Sequence, residues 1–479
     1  MRMTRAWVCR WGILTVLAGV AAGCATISLP LISRSGKKTA LDTYVHQPDS
    51  TYAWKVAKTV KTDGATTFIL DLTSQTWRTA PEVSNPVWKH WLIVVKPDVV
   101  EHDKALLYIA GGNNRDANPP NGIDPIWGRT ANLTKSVIAE LRMIPNQPLE
   151  FNGDGKGRSE DDLIAYTWDK VMRTGDLTWS ARMPMVKASV RAMDAIQEFL
   201  ASEEGGRVPV KNFVVCGGSK RGWTTWLTGA VDPRVCAMIP AVIDILNVQT
   251  SMKHHYGAYG FWAPAVGDYV RHGITNWMDT PEYQMLLDME DPYSYRQRLK
   301  MPKYIVNSSG DEFFVPDSAQ FYYHDLVGEK YLRVVPNTKH SLQGSDARDS
   351  IVAYYNAILT GRERPKFTWK IEDDGAIRVQ TNDKPLHVNL WQATNPNARD
   401  FRLDTIGKAY TSTPVEAAGD GAYVARVPVP EKGWTAYFVE LVYDSGLEQA
   451  PFKFTTQVKV TPDVLPFKDM PIPVTDPKK

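Results

Sequence analysis

Residues 214–223 read Val214-Val215-Cys216-Gly217-Gly218-Ser219-Lys220-Arg221-Gly222-Trp223, a pattern that predicts a buried strand running into a serine and straight out into a helix. Small residues before Ser219 permit the sharp turn of a nucleophile elbow, which exposes the serine hydroxyl at the end of a strand. The stretch departs from Gly-x-Ser-x-Gly, because Arg221 holds the second position after Ser219 and Gly222 the third. The alternative is a strand–turn–helix junction at which Gly218 and Ser219 only cap the helix.

Two later strand ends carry the partners that a nucleophilic serine needs. The strand-like residues 303–307 are followed by Asp311, and the strand-like residues 331–336 by His340. A histidine must take the serine proton and an acid must hold its tautomer, and in α/β-hydrolases the chain order is serine, acid, histidine. We therefore expect Ser219, Asp311 and His340 to form a catalytic triad. Asp244, which also follows a strand, is the second candidate for the acid.

Candidate residues for binding the oxyanion and the substrate lie near these positions. One oxyanion donor is expected from the backbone N–H of Lys220, and the other from Gly111-Gly112, after the apolar strand 104–110. Gly111-Gly112 is alternatively a plain turn at the strand exit. Arg221 either clamps a substrate carboxylate or braces the elbow or the cap. Three residues of the aromatic insertion described next are further candidates for substrate contacts: His254, His255 and Trp262.

Strand and helix patterns alternate from residue 104 to residue 360, which predicts a doubly wound, mostly parallel α/β sheet. One stretch breaks the alternation. Residues 248–302 are rich in Tyr and Trp and carry no clear strand. Because long structureless loops are uncommon, we expect a helical cap there. The hydrolase domain with this insertion is predicted to span residues 41–364.

The pattern of apolar and polar residues changes beyond residue 364. Six or seven short runs that alternate apolar and polar residues are separated by turns such as Asp-Gly and Lys-Gly. This spacing is typical of a β-sandwich. We predict a C-terminal β-sandwich domain, resembling an immunoglobulin or fibronectin fold, over residues 365–466.

The N-terminus predicts export. Arg2, Arg5 and Arg10 precede a short apolar run at 11–22, which suits a signal peptide spanning residues 1–24. Residues 20–24 read Val-Ala-Ala-Gly-Cys and resemble a bacterial lipobox, so Cys24 is the expected lipidation site. The alternative is an ordinary signal peptide with a chance cysteine. The expected location is the bacterial cell envelope, either anchored to a membrane by the lipid or in the periplasm.

Composition excludes several classes of protein. Lys and Arg total 55 against 53 Asp and Glu, so there is no basic footprint for nucleic acid. Four cysteines in 479 residues exclude a disulfide scaffold. Cys216 and Cys236 fall at opposite ends of neighbouring predicted strands, too far apart to bridge, and should be free thiols. No metal site or organic cofactor is predicted, since His254 and His255 are adjacent rather than four apart.

The motifs around the predicted triad resemble the PhoPQ-activated pathogenicity-related protein family. The similarity extends from about residue 41 to about residue 466 and is carried by residues 218–227, 231–235, 310–318 and 336–341. It implies the α/β-hydrolase superfamily, with Ser219, Asp311 and His340 as the triad. The elbow with its offset Gly222 is also similar to that of glucuronoyl esterases.

The expected function is that of an exported serine hydrolase that cleaves an ester or amide bond through an acyl-enzyme intermediate. An esterase is preferred, because the predicted cap suits a small or sugar-like substrate. A serine peptidase acting on peptides is the close alternative. The alternative from another class is a non-catalytic binding lipoprotein that uses the cap and the β-domain to hold a ligand.

Overall fold

The computed structural model describes residues 38–448 and 450–475. The predicted signal peptide and Cys24 lie outside the described residues. The strands are β1 Ala53–Thr62, β2 Ala65–Thr76, β3 Val87–Pro97, β4 Lys104–Ile109, β5 Ile138–Leu141, β6 Asn212–Gly218, β7 Val235–Ala241, β8 Lys303–Ser308, β9 Lys330–Val335, β10 Phe367–Ile371, β11 Ile377–Thr381, β12 His387–Asn395, β13 Thr411–Pro414, β14 Ala417–Gly419, β15 Ala422–Ala425, β16 Trp434–Tyr443, β17 Phe452–Thr455 and β18 Lys459–Thr461. The α-helices are α1 Ala40–His46, α2 Pro125–Thr134, α3 Glu160–Thr174, α4 Arg182–Ala201, α5 Lys220–Val231, α6 Val248–Tyr259, α7 Gly267–Arg271, α8 Pro281–Glu290, α9 Ala347–Thr360 and α10 Leu403–Ile406.

A long mixed sheet organises the molecule. Its first nine strands run in the order β1-β2-β3-β5-β4-β6-β7-β8-β9. The pairs from β5 through β4, β6, β7 and β8 to β9 are all parallel, and the earlier pairs are antiparallel. The interiors of the parallel strands are almost wholly buried, as expected for a sheet covered on both faces. This topology confirms the predicted α/β-hydrolase fold.

Helices cover the two faces of this sheet. The apolar residues of α3, α4 and α5 belong to one core, and those of α2 and α9 belong to another. Helix α4 is the longest at 20 residues, and α5 begins directly after β6 with Ser219 as its only link. Because the strands from β5 to β9 are parallel, the loops that follow them all lie at one edge of the sheet. Open α/β sheets place their functional sites at this edge.

The insertion at 248–302 is helical, as predicted. It contains α6, α7 and α8, joined by 3₁₀ turns at 264–266, 274–277 and 292–298. Helix α8 starts at Pro281, and the side chain of Thr280 caps it by accepting a hydrogen bond from the backbone N–H of Tyr283 at 3.2 Å. We call residues 248–302 the cap.

The C-terminal strands form two sheets that share a core. One is a four-stranded sheet in the order β10-β11-β15-β14. The other strands, β17, β16, β12, β13 and β18, continue the long sheet, because β17 pairs with β9 at Thr455 and Leu332. Residues from both sheets, such as Val379 and Leu441, belong to one apolar cluster. The described residues form one compact unit, and the domain limits 41–364 and 365–466 stay predictions.

The two described cysteines are free thiols, as expected. Cys216 is buried in β6 and Cys236 is partly buried in β7. Burial raises the pKa of the Cys216 thiol to about 12 and that of Cys236 to about 11, so neither is a thiolate at neutral pH. Across residues 38–448 and 450–475, none of the helices combines the length and apolar character needed to cross a bilayer.

Candidate active site

Ser219 occupies a strained turn between β6 and α5. Its backbone has φ 57° and ψ −128°, a conformation that costs a non-glycine residue about 1–3 kcal/mol. Close packing explains the small residues around it: an added Cβ on Gly217 would lie 2.7 Å from the Arg221 carbonyl oxygen, and one on Gly222 would lie 2.7 Å from that of Ala241. The offset position of Gly222 is thus required by contact with the neighbouring strand β7.

His340 and Asp311 are paired at the same edge of the sheet. His340 Nδ1 lies 2.8 Å from Asp311 Oδ2 and 3.1 Å from Oδ1. Asp311 is only 4% exposed and also accepts from the backbone N–H of Phe313 at 2.8 Å. Glu312 accepts from the backbone N–H of His340 at 2.9 Å. Carboxylate oxygens accept hydrogen bonds, so in the neutral imidazole this contact favours the tautomer with the proton on Nδ1, which leaves Nε2 as the acceptor.

The remaining ring nitrogen, His340 Nε2, is buried and has no hydrogen-bond partner among the described residues. Phe313 packs against the His340 ring with 4.5 Å between the ring centres. Phe313 and Ser219 line one cavity. No hydrogen bond joins Ser219 to His340 among the described residues, although such catalytic contacts commonly tighten only when substrate binds.

The cavity beside Ser219 is narrow and mostly apolar. Its volume is about 60 Å³. The cap supplies much of its wall, and three of the lining residues are charged. The apolar and aromatic lining residues are Trp168, Trp223, Ile243, Ile245, Val248, Met252, Val266, Tyr269, Ile274, Met278, Tyr283, Phe313 and Phe314. The polar and charged lining residues are Ser219 itself with Asp161, Arg182, Lys220 and Thr275. Such a site favours a substrate group that carries no charge.

Arg221 does not line this cavity, because its guanidinium is bound within the protein. It donates to both carboxylate oxygens of Glu160, at 2.8 and 2.5 Å, and to the carbonyl of Ile144 at 2.5 Å. The structure therefore agrees with the alternative in which Arg221 supports the elbow. Its guanidinium binds the carboxylate of Glu160, at the start of α3, rather than facing the cavity.

The Gly111-Gly112 turn lies against the elbow. A Cβ added to Gly111 would come within 2.7 Å of Arg221 Nη2, and Met143 donates its backbone N–H to the Gly111 carbonyl at 2.9 Å. Gly112 has φ 147°, a conformation that favours glycine. The structure therefore brings the turn after β4 into contact with the side chain of Arg221, and the oxyanion donors stay a prediction.

Asp244, the second candidate for the acid, is engaged elsewhere. Tyr322 Oη donates to Asp244 Oδ1 at 2.6 Å, and Asp244 is 5% exposed. Burial raises the pKa of Asp244 to about 8 and outweighs the hydrogen bond from Tyr322, which by itself would lower that pKa. The structure pairs His340 with Asp311 rather than with this carboxyl group.

Three predicted substrate contacts are not among the residues that line the Ser219 cavity. His254 Nε2 lies 3.0 Å from Asp317, which also forms a buried ion pair with Arg399 at 2.6 Å. His255 Nε2 accepts from a backbone N–H at 3.1 Å, and burial lowers its pKa to about 3. Trp262 packs on His255 with 5.7 Å between ring centres. All three residues instead organise the interior of the cap and its base.

The sequence-based prediction missed a buried ion pair under the cavity. Arg182 and Glu290 are both fully enclosed, with Arg182 Nε 3.8 Å from Glu290 Oε2. Glu290 also accepts from Trp168 Nε1 at 2.5 Å and from Ser180 Oγ. Arg182 donates to the Lys220 carbonyl at 2.9 Å. No motif marks either residue, because each lies in an ordinary helical pattern.

In the described part of the chain, no three His, Cys, Asp or Glu side chains converge in the way that a metal ion would need.

Comparison with known proteins gives a family and some distant structures. The sequence profile described as PhoPQ-activated pathogenicity-related protein matches residues 41–402. Autocrine proliferation repressor protein A of Dictyostelium discoideum is 40% identical over 458 residues, covering 90% of this chain and 92% of that protein.

Among solved structures, acetyl xylan esterase 1 from Thermoanaerobacterium is similar with a TM-score of 0.46 and 14% identity, over 67% of this chain and 94% of that one. A glucuronoyl esterase from Solibacter usitatus is similar with a TM-score of 0.39 and 14% identity, over 66% and 86% of the two chains.

Proposed function

The chain belongs to the PhoPQ-activated pathogenicity-related protein family, and from the geometry of its sheet edge we propose that it is a serine hydrolase with Ser219 as nucleophile, His340 as base and Asp311 as the orienting acid. The observation that carries the proposal is the juxtaposition of three features. Ser219 stands in a strained turn, an apolar cavity opens beside it, and the His340–Asp311 pair lies under Phe313 of that cavity.

The proposed reaction has two steps. Ser219 Oγ attacks the carbonyl carbon of an ester while His340 Nε2 takes the hydroxyl proton, and the oxyanion accepts hydrogen bonds from the backbone N–H groups of Lys220 and Gly112. The C–O bond to the alcohol then breaks, and His340 returns the proton to that alcohol. Water, deprotonated by His340, attacks the acyl-serine, releases the acid and restores Ser219.

The cavity favours, as the substrate class, an ester whose acyl group is small and carries no charge. Its wall is largely aromatic and aliphatic, and its charged groups are already paired: Lys220 with Asp161 at 3.1 Å, and Arg182 with Glu290 at 3.8 Å. A carboxylate on the acyl group would be buried without a free cation, which is costly. We expect p-nitrophenyl acetate to be hydrolysed faster than an ester of a dicarboxylic acid and faster than the matched anilide. Preference for the anilide or for peptides would favour the peptidase.

The nucleophile is tested by Ser219→Ala, with Ser84→Ala as the control because it removes an exposed serine hydroxyl away from the elbow. Hydrolysis of p-nitrophenyl acetate should fall at least about 10³-fold in Ser219→Ala, since the residual rate rests on binding and the oxyanion donors alone. Ser84→Ala should retain the wild-type rate. Equal rates in all three proteins would remove Ser219 from the mechanism, and the absence of turnover of any ester or amide by the wild type would favour the binding lipoprotein.

Export and lipid anchoring are a second part of the proposal. They rest on the signal-like residues 1–24 and on Cys24, which the sequence places after small residues. Expression of the full chain in bacteria fed an alkynyl fatty acid should label the wild type and not Cys24→Ala. Labelling of neither protein would contradict the anchor and leave an ordinary signal peptide.

A further inference from the structure

The acidic first turn of α3 lies between the two turns that supply the proposed oxyanion donors. The carboxylate of its first residue, Glu160, accepts hydrogen bonds from both terminal guanidinium nitrogens of Arg221, at 2.8 and 2.5 Å. It also forms an ion pair with Lys220 Nζ at 2.8 Å. Lys220 and Arg221 directly follow the nucleophile. One carboxylate therefore holds the side chains of both residues that begin α5.

The same carboxylate is connected to the other turn through Gln147. Gln147 Nε2 donates to Glu160 Oε1 at 2.5 Å and to the Gly112 carbonyl at 3.3 Å. Gln147 Oε1 accepts the backbone N–H of Glu160 at 2.7 Å, and the Gln147 carbonyl accepts the backbone N–H of Asn114 at 2.5 Å. A chain of hydrogen bonds thus runs from Arg221 through Glu160 and Gln147 to Gly112.

Burial and charge make this connection strong. The side chains of Lys220 and Arg221 are 7% and 12% exposed, and Gln147 is 5% exposed. Burial opposes ionisation of Glu160, but the hydrogen bond and positive charge of Arg221, together with Lys220, outweigh it and lower the pKa of Glu160 to about 2. The Glu160 carboxylate is an anion throughout the neutral range, and charge-assisted bonds of this kind are short and directional even though its side chain is 42% exposed.

The contact also has a steric side. Arg221 Nη2 is so close to Gly111 that a Cβ there would come within 2.7 Å. The guanidinium therefore touches one turn while it binds the carboxylate that is tied to the same turn through Gln147. Glu160 itself has φ 53°, a conformation rarely adopted outside glycine, and persists in it with its N–H bound to Gln147.

We propose that Glu160 and Gln147 are positioning residues that fix the distance between the two oxyanion donors, the backbone N–H groups of Lys220 and Gly112. The inference rests on the proposed function. Oxyanion donors act only when they lie about 2.7–3.1 Å from the developing charge, and small displacements are costly. Loosening the connection should therefore weaken binding of the transition state and leave binding of the ester in its ground state almost unchanged.

The test compares Glu160→Gln with Glu329→Gln. Glu329 accepts the same two-pronged contact from Arg364, at 2.6 and 2.8 Å, and the exposures of the two pairs match: 12% and 35% for Arg364 and Glu329, 12% and 42% for Arg221 and Glu160. For each protein, kcat and KM for p-nitrophenyl acetate are measured together with the inhibition constant of phenylboronic acid, whose tetrahedral serine adduct places an oxygen between the donors.

In Glu160→Gln we expect kcat to fall by about 10- to 100-fold, less than the loss of a whole donor, with KM within about twofold of the wild type. The phenylboronic acid constant should rise by a factor similar to the fall in kcat/KM. Glu329→Gln should match the wild type in all three quantities. Unchanged kcat and inhibition in Glu160→Gln, or a change confined to KM, would overturn the inference, as would equal losses in the two variants.

Gln147→Ala keeps the inference testable if Glu160→Gln does not fold. It removes the hydrogen bonds of the Gln147 side chain to Gly112 and to Glu160 but keeps the contacts of Glu160 with Lys220 and Arg221, so it should show the same split between kcat and KM with a smaller loss. A wild-type kcat in this variant would overturn the role of Gln147. A wild type that neither hydrolyses esters nor binds phenylboronic acid would overturn the proposed function together with the inference. An active wild type whose kcat and inhibition are unchanged in Glu160→Gln and Gln147→Ala would overturn the inference alone.

Discussion

Asp244 is a carboxyl group that the fold keeps protonated beside the proposed triad. Burial raises its pKa from the ordinary 3.8 to about 8, so its stabilising contribution is complete only below the ordinary pKa and is lost progressively as the pH rises from there to about 8. Asp244→Asn resembles the protonated acid and can still accept from Tyr322. We expect the thermal stability of this variant relative to the wild type to rise by several degrees from pH 5 to pH 8.5.

The measurement is a pair of thermal melts at the two pH values. Exposed Asp383→Asn serves as the control, since the same change there should leave the difference between the two pH values as it is in the wild type. A variant that is less stable than the wild type at pH 8.5 would show that Asp244 is an anion in the folded protein.

At the residue scale, the sequence predicted which residues stand at the strand ends but not which residues line the cavity. The order Ser219, Asp311, His340 follows from strand ends alone, because parallel strands deliver their next residues to one edge. His254 was a reasonable candidate, yet it lies six residues after the cavity-lining Val248 and so about 120° away around α6. That orientation depends on how the helix packs, which the local sequence does not specify.

The buried ion pair Arg182–Glu290 joins two elements, α4 of the hydrolase core and α8 of the cap. Arg182→Met would leave the Glu290 carboxylate enclosed without a cation, and we expect a loss of about 3–5 kcal/mol in unfolding free energy. Burial raises the pKa of Glu290, so loss of its cation should drive proton uptake and make the loss larger at pH 8 than at pH 5. Chemical denaturation at both pH values measures it.

The double variant Arg182→Met/Glu290→Gln is the control for this prediction. It removes both charges, and it should recover a substantial part of the stability that Arg182→Met loses. If the loss of unfolding free energy in the double variant equalled the sum of the losses in Arg182→Met and Glu290→Gln, the two residues would not be coupled.

Elements were predicted well where periodicity was strong. The alternation of strands and helices expected from residue 104 to residue 360 is present outside the cap, and the expected strand at 104–110 is β4. The cap was foreseen as helical from the absence of strand patterns, but its division into α6, α7, α8 and 3₁₀ turns depends on contacts with the core. The acidic start of α3, which holds Lys220 and Arg221, carries no local signal beyond a favourable helix N-terminus.

At the scale of the whole molecule, the C-terminal strands are built into the sheet that carries the site. Phe454 of β17 stacks on Tyr331 of β9 with 4.2 Å between ring centres, and Tyr304 of β8 donates to the Lys453 carbonyl at 2.7 Å. Phe454→Ala should therefore lower the unfolding free energy of the entire chain by about 3–5 kcal/mol in one cooperative transition. Denaturant unfolding followed by fluorescence and by ester hydrolysis tests this.

The outcome that contradicts this account is a separate early transition that leaves hydrolysis intact, because it would show that the C-terminal region unfolds by itself. Phe261→Ala is the control, since that ring is 45% exposed and should cost little. The sequence could not predict the continuity, because alternating strands specify a sheet but not which neighbouring edge they join.

The central claim is that Ser219 is an activated nucleophile, and the most direct measurement is mass spectrometry of the protein after treatment with a fluorophosphonate. The account predicts one stoichiometric adduct on the peptide containing Ser219, blocked by phenylboronic acid and absent from Ser219→Ala. An unmodified wild type under conditions that label a control serine hydrolase, or an adduct on another residue that persists in Ser219→Ala, would contradict it.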